Sequence, residues 1–169
     1  MNPDSTTPNP EYFVDSDELA ALIHALVDDG HTISLNAPGG SMMPFIRSGD
    51  KIYISPVDTN TIRSGDILVF LRRSDERVIA HRVVKTGSGC FLGKGDNVAE
   101  QNDGWVLFED VLGRVERVRR EEKSVWLGVS VANKLIAWLS RKNILVWLIN
   151  FLRSVKWGLI GLFRSAVEK

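Results

Sequence analysis

Cysteine is the scarcest residue in this chain of 169 residues, which contains Cys90 and no other thiol. A lone cysteine excludes an internal disulfide and a zinc site built from cysteines. The chain has three histidines, His24, His31 and His81, but their spacing is not that of metal ligands. The sequence therefore predicts no metal site.

A surplus of one charge is also missing, because 21 basic residues balance 21 acidic ones. This balance argues against a nucleic-acid-binding protein, which would carry a basic excess. The chain does not open with a basic segment and an apolar run, so we expect no cleavable signal peptide and no N-terminal membrane anchor. Residues 1–14 are rich in Pro, Asn, Thr and Ser, which predicts a disordered lead-in.

Charge and tryptophan are distributed unevenly along the chain. Residues 125–169 hold seven basic residues and one acidic residue, together with four of the five tryptophans. We interpret this asymmetry as two segments with different physics. One is a domain over residues 15–128, and the other is a set of amphipathic, membrane-associating helices over residues 129–169.

The domain is predicted to begin with a helix and to continue as strands. Asp15 and Glu18 have the spacing of a capping box, and Gly30 is the expected helix stop. Apolar residues recur between them on one predicted face: Leu19, Leu22, Ile23, Leu26 and Val27. From about residue 31 to 127 the pattern becomes that of short strands separated by tight turns. The predicted strand segments include Ile33–Leu35, Ile52–Ile54, Ile67–Leu71, Val78–Val84, Val111–Val118 and Val125–Leu127.

The most informative segment is Gly39-Gly40-Ser41-Met42-Met43-Pro44. Paired glycines let the backbone turn sharply and approach a ligand closely. A serine directly after such a turn can be exposed beside free N–H groups, which is what a nucleophile with an oxyanion hole requires. The alternative from the residues alone is an ordinary glycine-rich turn with a capping serine.

Two later segments carry candidate partners for that serine. His81 lies inside an apolar strand pattern, where a histidine needs a polar partner. Imidazole is suited to deprotonating a serine near neutral pH, although a satisfied core histidine would look the same. Asp96 and Asp103 lie in or after the segment Gly93-Lys94-Gly95-Asp96-Asn97. Either carboxylate could orient the imidazole, or each could belong to an ordinary turn.

Taken in order, these motifs resemble the conserved boxes of type I signal peptidases and related S24/S26-like serine peptidases. The matching boxes are Ser41-Met42-x-Pro44, Gly49-Asp50, Gly65-Asp66-Ile67, His81-Arg82-Val83, Gly95-Asp96-Asn97 and Gly113-Arg114-Val115. The resemblance covers roughly residues 31–118. It implies a mainly β catalytic domain of the signal-peptidase or SOS-repressor type, here with an N-terminal helix and C-terminal amphipathic helices.

The resemblance also implies roles for the site residues. A histidine at position 81 is similar to the archaeal and endoplasmic-reticulum branch, which pairs serine with histidine, rather than to enzymes with a lysine base. Ser41 would be the nucleophile, His81 the general base, and Asp96 or Asp103 the third member. The residues expected to form the oxyanion hole and bind substrate are Gly39, Gly40, Met42 and Pro44.

Two departures from the family pattern bear on this assignment. Gly39 stands where many bacterial members carry a hydroxyl residue, so the oxyanion hole would rest on backbone N–H groups. In reticulum-type enzymes a second aspartate follows the first by six residues, but here that position is Asn102 and the aspartate is Asp103. The third catalytic group is therefore left open between Asp96 and Asp103.

The function implied is a serine endopeptidase that cleaves an extended peptide or preprotein through an acyl-enzyme and needs no metal or cofactor. The alternative is a non-catalytic member of the same fold that binds a peptide or partner.

Segment Ile144–Phe163 is long enough to span a bilayer. Arg153 and Lys156 near its centre would each cost ~2.5–3.5 kcal/mol there, which favours helices lying in the interface. We expect a peripheral protein on the cytoplasmic membrane face. Packing of the tail on the domain or on another subunit is the alternative.

Overall fold

The computed structural model of the chain describes residues 16–99, 102–121, 123–125, 136–139 and 144. Within these residues the protein is mainly β, as predicted. Helix α1 covers Ser16–Asp28 and is followed by strands β1 (Ile33–Asn36), β2 (Lys51–Ser55), β3 (Ile67–Arg72), β4 (Arg77–Thr86), β5 (Cys90–Lys94), β6 (Trp105–Leu107), β7 (Val111–Arg120) and β8 (Lys123–Val125). Short 3₁₀ helices cover Thr59–Thr61 and Phe108–Asp110.

The strands form one antiparallel sheet with the order β1-β2-β7-β3-β4-β5-β6, and β8 pairs with β7. Strand β3 therefore lies in the middle of the sheet. Its side chains alternate between two apolar clusters, because Ile67 and Val69 join one cluster while Leu68 and Phe70 join the other. Burial on both faces explains why β3 reads as a continuous apolar run rather than an alternating one.

Helix α1 covers one of these clusters, with a face that matches the predicted one only in part. Ala20, Ile23 and Val27 are buried, whereas Leu22 and Leu26 are exposed. The small Ala20 side chain faces the sheet and permits the close approach of the helix. The backbone N–H groups of Gly30 and His31 close the predicted helix end by bonding the carbonyls of Val27 and Leu26.

The Gly-Asp pairs at positions 49–50 and 65–66 form turns directly before strands β2 and β3. Both belong to the tetrapeptide Arg-Ser-Gly-Asp, and in each the aspartate carboxylate accepts the N–H of the arginine three residues earlier. The two distances are 2.8 Å to Asp50 and 2.9 Å to Asp66. Gly49 and Gly65 have φ angles of 86° and 106°, a conformation that glycine adopts without strain.

The strands that the sequence did not reveal are β5 and β6. β6 has three residues, and β5 contains a glycine at its fourth position, so neither produces a clear alternating pattern. The last strand is described at Lys123–Val125 and so includes the first residue of the predicted Val125–Leu127, while positions 126 and 127 lie outside the described residues.

Little of the tail is described. Residues 136–139 are helical, in agreement with the predicted helical tail. Ala137 is 1% exposed and Trp138 is 52% exposed, so the small side chain is buried and the tryptophan faces outward. The predicted lead-in and the remainder of residues 129–169 lie outside the described part of the chain. No helix among the described residues is long and apolar enough to cross a membrane.

Candidate active site

The structure brings Ser41 and His81 together from distant parts of the chain. Ser41 lies in the loop between β1 and β2, and His81 lies within β4. The Oγ atom of Ser41 is 2.9 Å from Nε2 of His81, a hydrogen-bond distance. His81 is buried, so its position is fixed by the sheet rather than by solvent-exposed contacts.

Asp103 contacts the other ring nitrogen of His81. Its Oδ2 atom is 2.6 Å from Nδ1 of His81, and its side chain is 2% exposed. An ionised carboxylate only accepts hydrogen bonds, so Nδ1 carries the hydrogen in this pair. With the imidazole neutral, Nε2 is then the acceptor for the Ser41 hydroxyl. The arrangement Ser41–His81–Asp103 thus has the geometry of a serine nucleophile with a base and an orienting carboxylate.

Asp96 was the other candidate for the third position, and the structure pairs it with Arg82 instead. Nε and Nη2 of Arg82 lie 2.8–3.2 Å from the Asp96 carboxylate oxygens. Both side chains are fully buried, and Arg82 also donates to the carbonyl of Gly65 at 3.0 Å. The two ring nitrogens of His81 are already bonded to Ser41 and Asp103, so Asp96 does not orient the imidazole.

The Gly95-Asp96-Asn97 segment holds the serine loop in place. The backbone N–H of Asn97 donates to the carbonyl of Ser41 at 2.7 Å, and its side-chain amide donates to the carbonyl of Gly40 at 3.2 Å. A Cβ atom on Gly95 would lie 2.8 Å from Ser41 O and 3.0 Å from His81 Nε2. Gly95 is therefore a close-packing position, a role that the sequence analysis did not assign.

Gly93 packs closely against the carboxylate of Asp103, as Gly95 does against Ser41 and His81. A Cβ atom there would lie 2.8 Å from Oδ2 of Asp103. The backbone N–H of Asp103 donates to the carbonyl of Gly93 at 3.0 Å. Gly93 lies within β5 and Gly95 directly follows it, and two glycines at alternate positions are the sequence signal that could have indicated a stretch against which other residues pack closely.

The residues expected to form the oxyanion hole and bind substrate fall into two groups. Gly39 and the buried Met42 line the same cleft as Ser41. Gly40 and Pro44 shape the loop instead: the carbonyl of Gly40 accepts the N–H of Met43, and Pro44 follows a cis peptide bond.

The cleft beside Ser41 has a volume of about 960 Å³. One wall runs from Leu35 to Gly39 and the other from Arg77 to His81, and the floor is apolar, with Ile52, Ile54 and Val69. In the described part of the chain, β1 pairs only with β2, and residues 77–81 of β4 pair only with β3. Both walls therefore present backbone groups that an added strand can pair with.

Two lysines, Lys94 and Lys85, lie in strands β5 and β4. Lys94 is buried and its Nζ donates to the carbonyl of Ala99 at 3.1 Å. Burial lowers the pKa of Lys94, and the negative charge of Asp96 offsets part of that effect. Lys85 lies over the ring of Trp105. No group of side chains within the described ranges could hold a metal ion.

A guanidinium outside the predicted set completes the hydrogen bonds of Asp103. Nη1 of Arg72 lies 2.8 Å from Oδ1 of Asp103, and Nε and Nη2 bind Asp75 at 2.7 and 2.6 Å. The hydrogen bond from Arg72 lowers the pKa of Asp75. Arg72 was not predicted from the sequence, because the fold of the chain, rather than any local motif, brings it to Asp103.

Known proteins are similar to this chain over the same region. Over 87 aligned residues, the chain is 33% identical to the signal peptidase complex catalytic subunit SEC11C of Homo sapiens, Mus musculus and Canis lupus familiaris. Each match covers 44% of this chain and 45% of the relative, so the aligned region is less than half of the relative's length. These relatives agree with the Ser–His branch indicated by the motifs.

The match to a protein family covers a larger share of the chain. Residues 8–103 match the Peptidase S24-like family, which is more than half of the 169 residues. This range includes Ser41, His81 and Asp103 and most of the described strands. The predicted membership in the S24/S26 group is thereby confirmed, and the chain belongs to the Peptidase S24-like family.

Proposed function

We propose that this protein is a serine endopeptidase that uses Ser41, His81 and Asp103 in an acyl-enzyme mechanism. The observation that carries the proposal is the continuous hydrogen-bonded series from Ser41 Oγ through both ring nitrogens of His81 to Asp103, with distances of 2.9 and 2.6 Å. This series opens into a cleft that can accommodate an extended peptide. Family membership and the similarity to a signal peptidase subunit support the same reaction class.

In the proposed reaction, Ser41 Oγ attacks the scissile carbonyl carbon while Nε2 of His81 takes the hydroxyl proton. The carbonyl oxygen becomes an oxyanion, which backbone N–H groups stabilise. The backbone N–H of Ser41 is the leading oxyanion donor in this proposal, because it belongs to the residue whose Oγ attacks the carbonyl carbon. His81 then protonates the leaving amine, and water activated by His81 hydrolyses the ester on Ser41. Asp103 holds the imidazole in the required tautomer and stabilises its cationic form.

The proposed substrate is an extended peptide or preprotein segment that lies between β1 and β4 as an added strand. Main-chain hydrogen bonds to the two open strand edges would supply binding, and side chains pointing to the floor would supply selectivity. The floor is apolar, with Ile52, Ile54 and Val69. Small uncharged side chains before the cleaved bond fit the signal-peptidase resemblance and this floor.

The first experiment asks whether Ser41 forms a covalent acyl-enzyme. The full chain is mixed with p-nitrophenyl acetate, release of p-nitrophenolate is followed, and the intact protein is examined by mass spectrometry. We expect an acetyl group on Ser41 and its absence in Ser41→Ala. Labelling and hydrolysis that are equal in the two proteins would exclude the catalytic proposal and favour the non-catalytic, peptide-binding alternative.

The peptide substrate is sought separately. Peptides of cells carrying the intact protein are compared by mass spectrometry with those of cells carrying Ser41→Ala. Cleavage products confined to the intact protein, with small residues before the cut, are expected. Products that do not depend on Ser41 would show that another peptidase makes them.

For the remainder of the chain we propose that residues 129–169 bind a membrane surface next to the catalytic domain over 15–128. The support is the sequence, in which residues 125–169 combine seven basic residues with four tryptophans. Anionic headgroups attract basic residues, and tryptophan prefers the membrane interface. Flotation with anionic and neutral vesicles tests this; the intact chain should float, and a chain truncated after Gly128 should not.

A further inference from the structure

Asp103 has fewer main-chain supports than its partner His81. His81 belongs to β4 and pairs across the sheet with Leu68 of β3. Asp103 precedes β6 and is not part of a strand. Its N–H bonds the carbonyl of Gly93. The orientation of the Asp103 carboxylate therefore depends strongly on the bonds that its own oxygens accept.

Those two oxygens have different partners. Oδ2 lies 2.6 Å from Nδ1 of His81, and Oδ1 accepts from Nη1 of Arg72 at 2.8 Å. A carboxylate held at both oxygens has a fixed plane, whereas one held at a single oxygen can rotate about its last bond. Arg72 is at the end of β3, so it connects the Asp103 loop to the central strand of the sheet.

Arg72 is itself held in place. Its Nε and Nη2 atoms form a two-pronged contact with Asp75 in the turn between β3 and β4. Such forked contacts fix the plane of a guanidinium better than a single bond does. The remaining Nη1 group is thereby directed at Asp103. Arg77, directly opposite Arg72 in the strand register, adds positive charge near the same turn.

We propose that Arg72 is a positioning residue for the proposed reaction: fixed by Asp75, it sets the plane of the Asp103 carboxylate and so the direction of the His81 ring. Arg72 transfers no proton and forms no bond to substrate in this role. The proposal rests on the proposed function for its kinetic consequence. Its geometric consequence, the bond between His81 and Asp103, is measurable whether or not the protein is catalytic.

The kinetic experiment uses Arg72→Met in the full chain, with p-nitrophenyl acetate as the probe. Arg73→Met is the matched control, because Arg73 is the next residue and is also ion-paired, but with Glu109 and Asp110. We expect the saturating rate to fall by about 10- to 100-fold in Arg72→Met, since small misplacement of a catalytic group has effects of that size. The half-saturating ester concentration should stay the same. Added methylguanidinium should restore part of the rate.

The spectroscopic experiment observes the low-field proton resonance of His81 Nδ1–H in the same proteins. We expect it to shift or broaden in Arg72→Met and to be unchanged in Arg73→Met. If Arg72→Met does not fold, Arg72→Lys replaces it; one ammonium cannot bridge both carboxylates, so an intermediate loss of rate is expected.

The outcomes separate the two proposals. Hydrolysis that does not depend on Ser41, together with a resonance that responds to Arg72, would overturn the peptidase function and retain the positioning role. Ser41-dependent hydrolysis at an unchanged rate in Arg72→Met or Arg72→Lys, with an unchanged resonance, would overturn the positioning role alone. A loss of rate equal to that of Arg73→Met, without rescue by methylguanidinium, would assign Arg72 to general stability and also overturn it.

Discussion

Two arginine–aspartate pairs lie close to the candidate active site and differ in burial and in their neighbours. Arg82 and Asp96 are both 0% exposed and tie the Gly95-Asp96-Asn97 segment to the loop at Gly65. Arg72 is partly exposed, and its partner Asp103 also contacts His81. The first pair holds loops together in the interior, whereas the second reaches the group proposed to do chemistry. Two pairs of the same chemistry thus differ in role, because the carboxylate of one pair also contacts His81 and that of the other does not.

The largest expected effect is on the pair beside His81. Asp103→Asn should reduce Ser41-dependent hydrolysis by about 10⁴-fold, because the amide no longer selects the imidazole tautomer whose Nε2 accepts a proton. The measurement is the rate with p-nitrophenyl acetate, with thermal unfolding as the control for folding. An Asp103→Asn protein with more than a tenth of the parental rate would contradict the assignment of Asp103.

The buried pair should respond in stability. Asp96→Asn leaves the Arg82 charge without its carboxylate in the interior, and the expected loss in the free energy of unfolding is about 3–5 kcal/mol. Urea denaturation measures it. The control is the double variant Arg82→Met with Asp96→Leu, which removes both charges and should recover most of the lost free energy of unfolding. If the double variant is as unstable as Asp96→Asn, the cost does not come from an uncompensated charge.

Next in size is a change at Gly95, the glycine that packs against Ser41 and His81. Gly95→Ala places a Cβ atom 2.8 Å from Ser41 O and 3.0 Å from His81 Nε2, so the two groups must separate. A loss of up to about 100-fold in the ester rate is expected from displacement on this scale. The matched change is Gly87→Ala, whose Cβ meets the side-chain ends of Cys90 and Trp105 instead. Equal rates in the two variants would contradict the close-packing role of Gly95.

The smallest expected effect concerns acid stability at a third arginine–aspartate pair. Burial raises the pKa of Asp50, but hydrogen bonds from Arg120 and the Arg47 N–H outweigh it, so the pKa falls below its ordinary value. A carboxyl group whose pKa is lower in the folded than in the unfolded protein stabilises the folded state at any pH above the unfolded pKa. This stabilisation is lost as the pH falls through the folded pKa.

The variant Asp50→Asn should therefore be less stable at neutral pH, by about 2 kcal/mol. Its stability should also fall less steeply than that of the parent as the pH is lowered below about 4. Thermal unfolding across this pH range is the measurement. Asp66→Asn is the control. Asp66 accepts the same kind of turn hydrogen bond, from the N–H of Arg63, but its carboxylate lies 3.5 Å from the guanidinium of Arg114. Parallel acid profiles for the parent and Asp50→Asn would contradict the prediction.

The sequence predicted the features that are written locally. Helix α1 followed from a capping pattern and its periodicity, and the longer strands followed from runs of β-prone residues between turns. Ser41 and His81 were candidates because a glycine-rich turn and a histidine in an apolar strand pattern can be recognised from the sequence alone. The choice between Asp96 and Asp103 could not be made from the sequence, because Asp96 lies in the motif and Asp103 closely follows it, and only the folded chain shows that Asp103 contacts His81 while Asp96 contacts Arg82.

The features that were not predicted depend on tertiary contacts between parts of the chain that are distant in sequence. Arg72 is distant from Asp103 along the chain, and nothing around either residue marks the contact. The exposed positions of Leu22 and Leu26 had the same cause: periodicity identifies an apolar stripe but not which part of it faces the sheet. Gly93 had no predicted role because β5 was not predicted, and the close packing of Gly95 depends on Ser41 and His81, which come from other parts of the chain.

The two open strand edges of the cleft have a consequence for the protein outside catalysis. Unpaired backbone N–H and carbonyl groups on an edge will pair with any extended chain, including a strand of another copy, and so promote aggregation. Here the edges are short: β1 has four residues and is followed by Pro38, which has no N–H to donate. The open part of β4 begins at Arg77, a charged residue at the cleft mouth. Brevity, proline and charge are the devices by which sheet proteins resist self-association, and they leave room for a short guest strand.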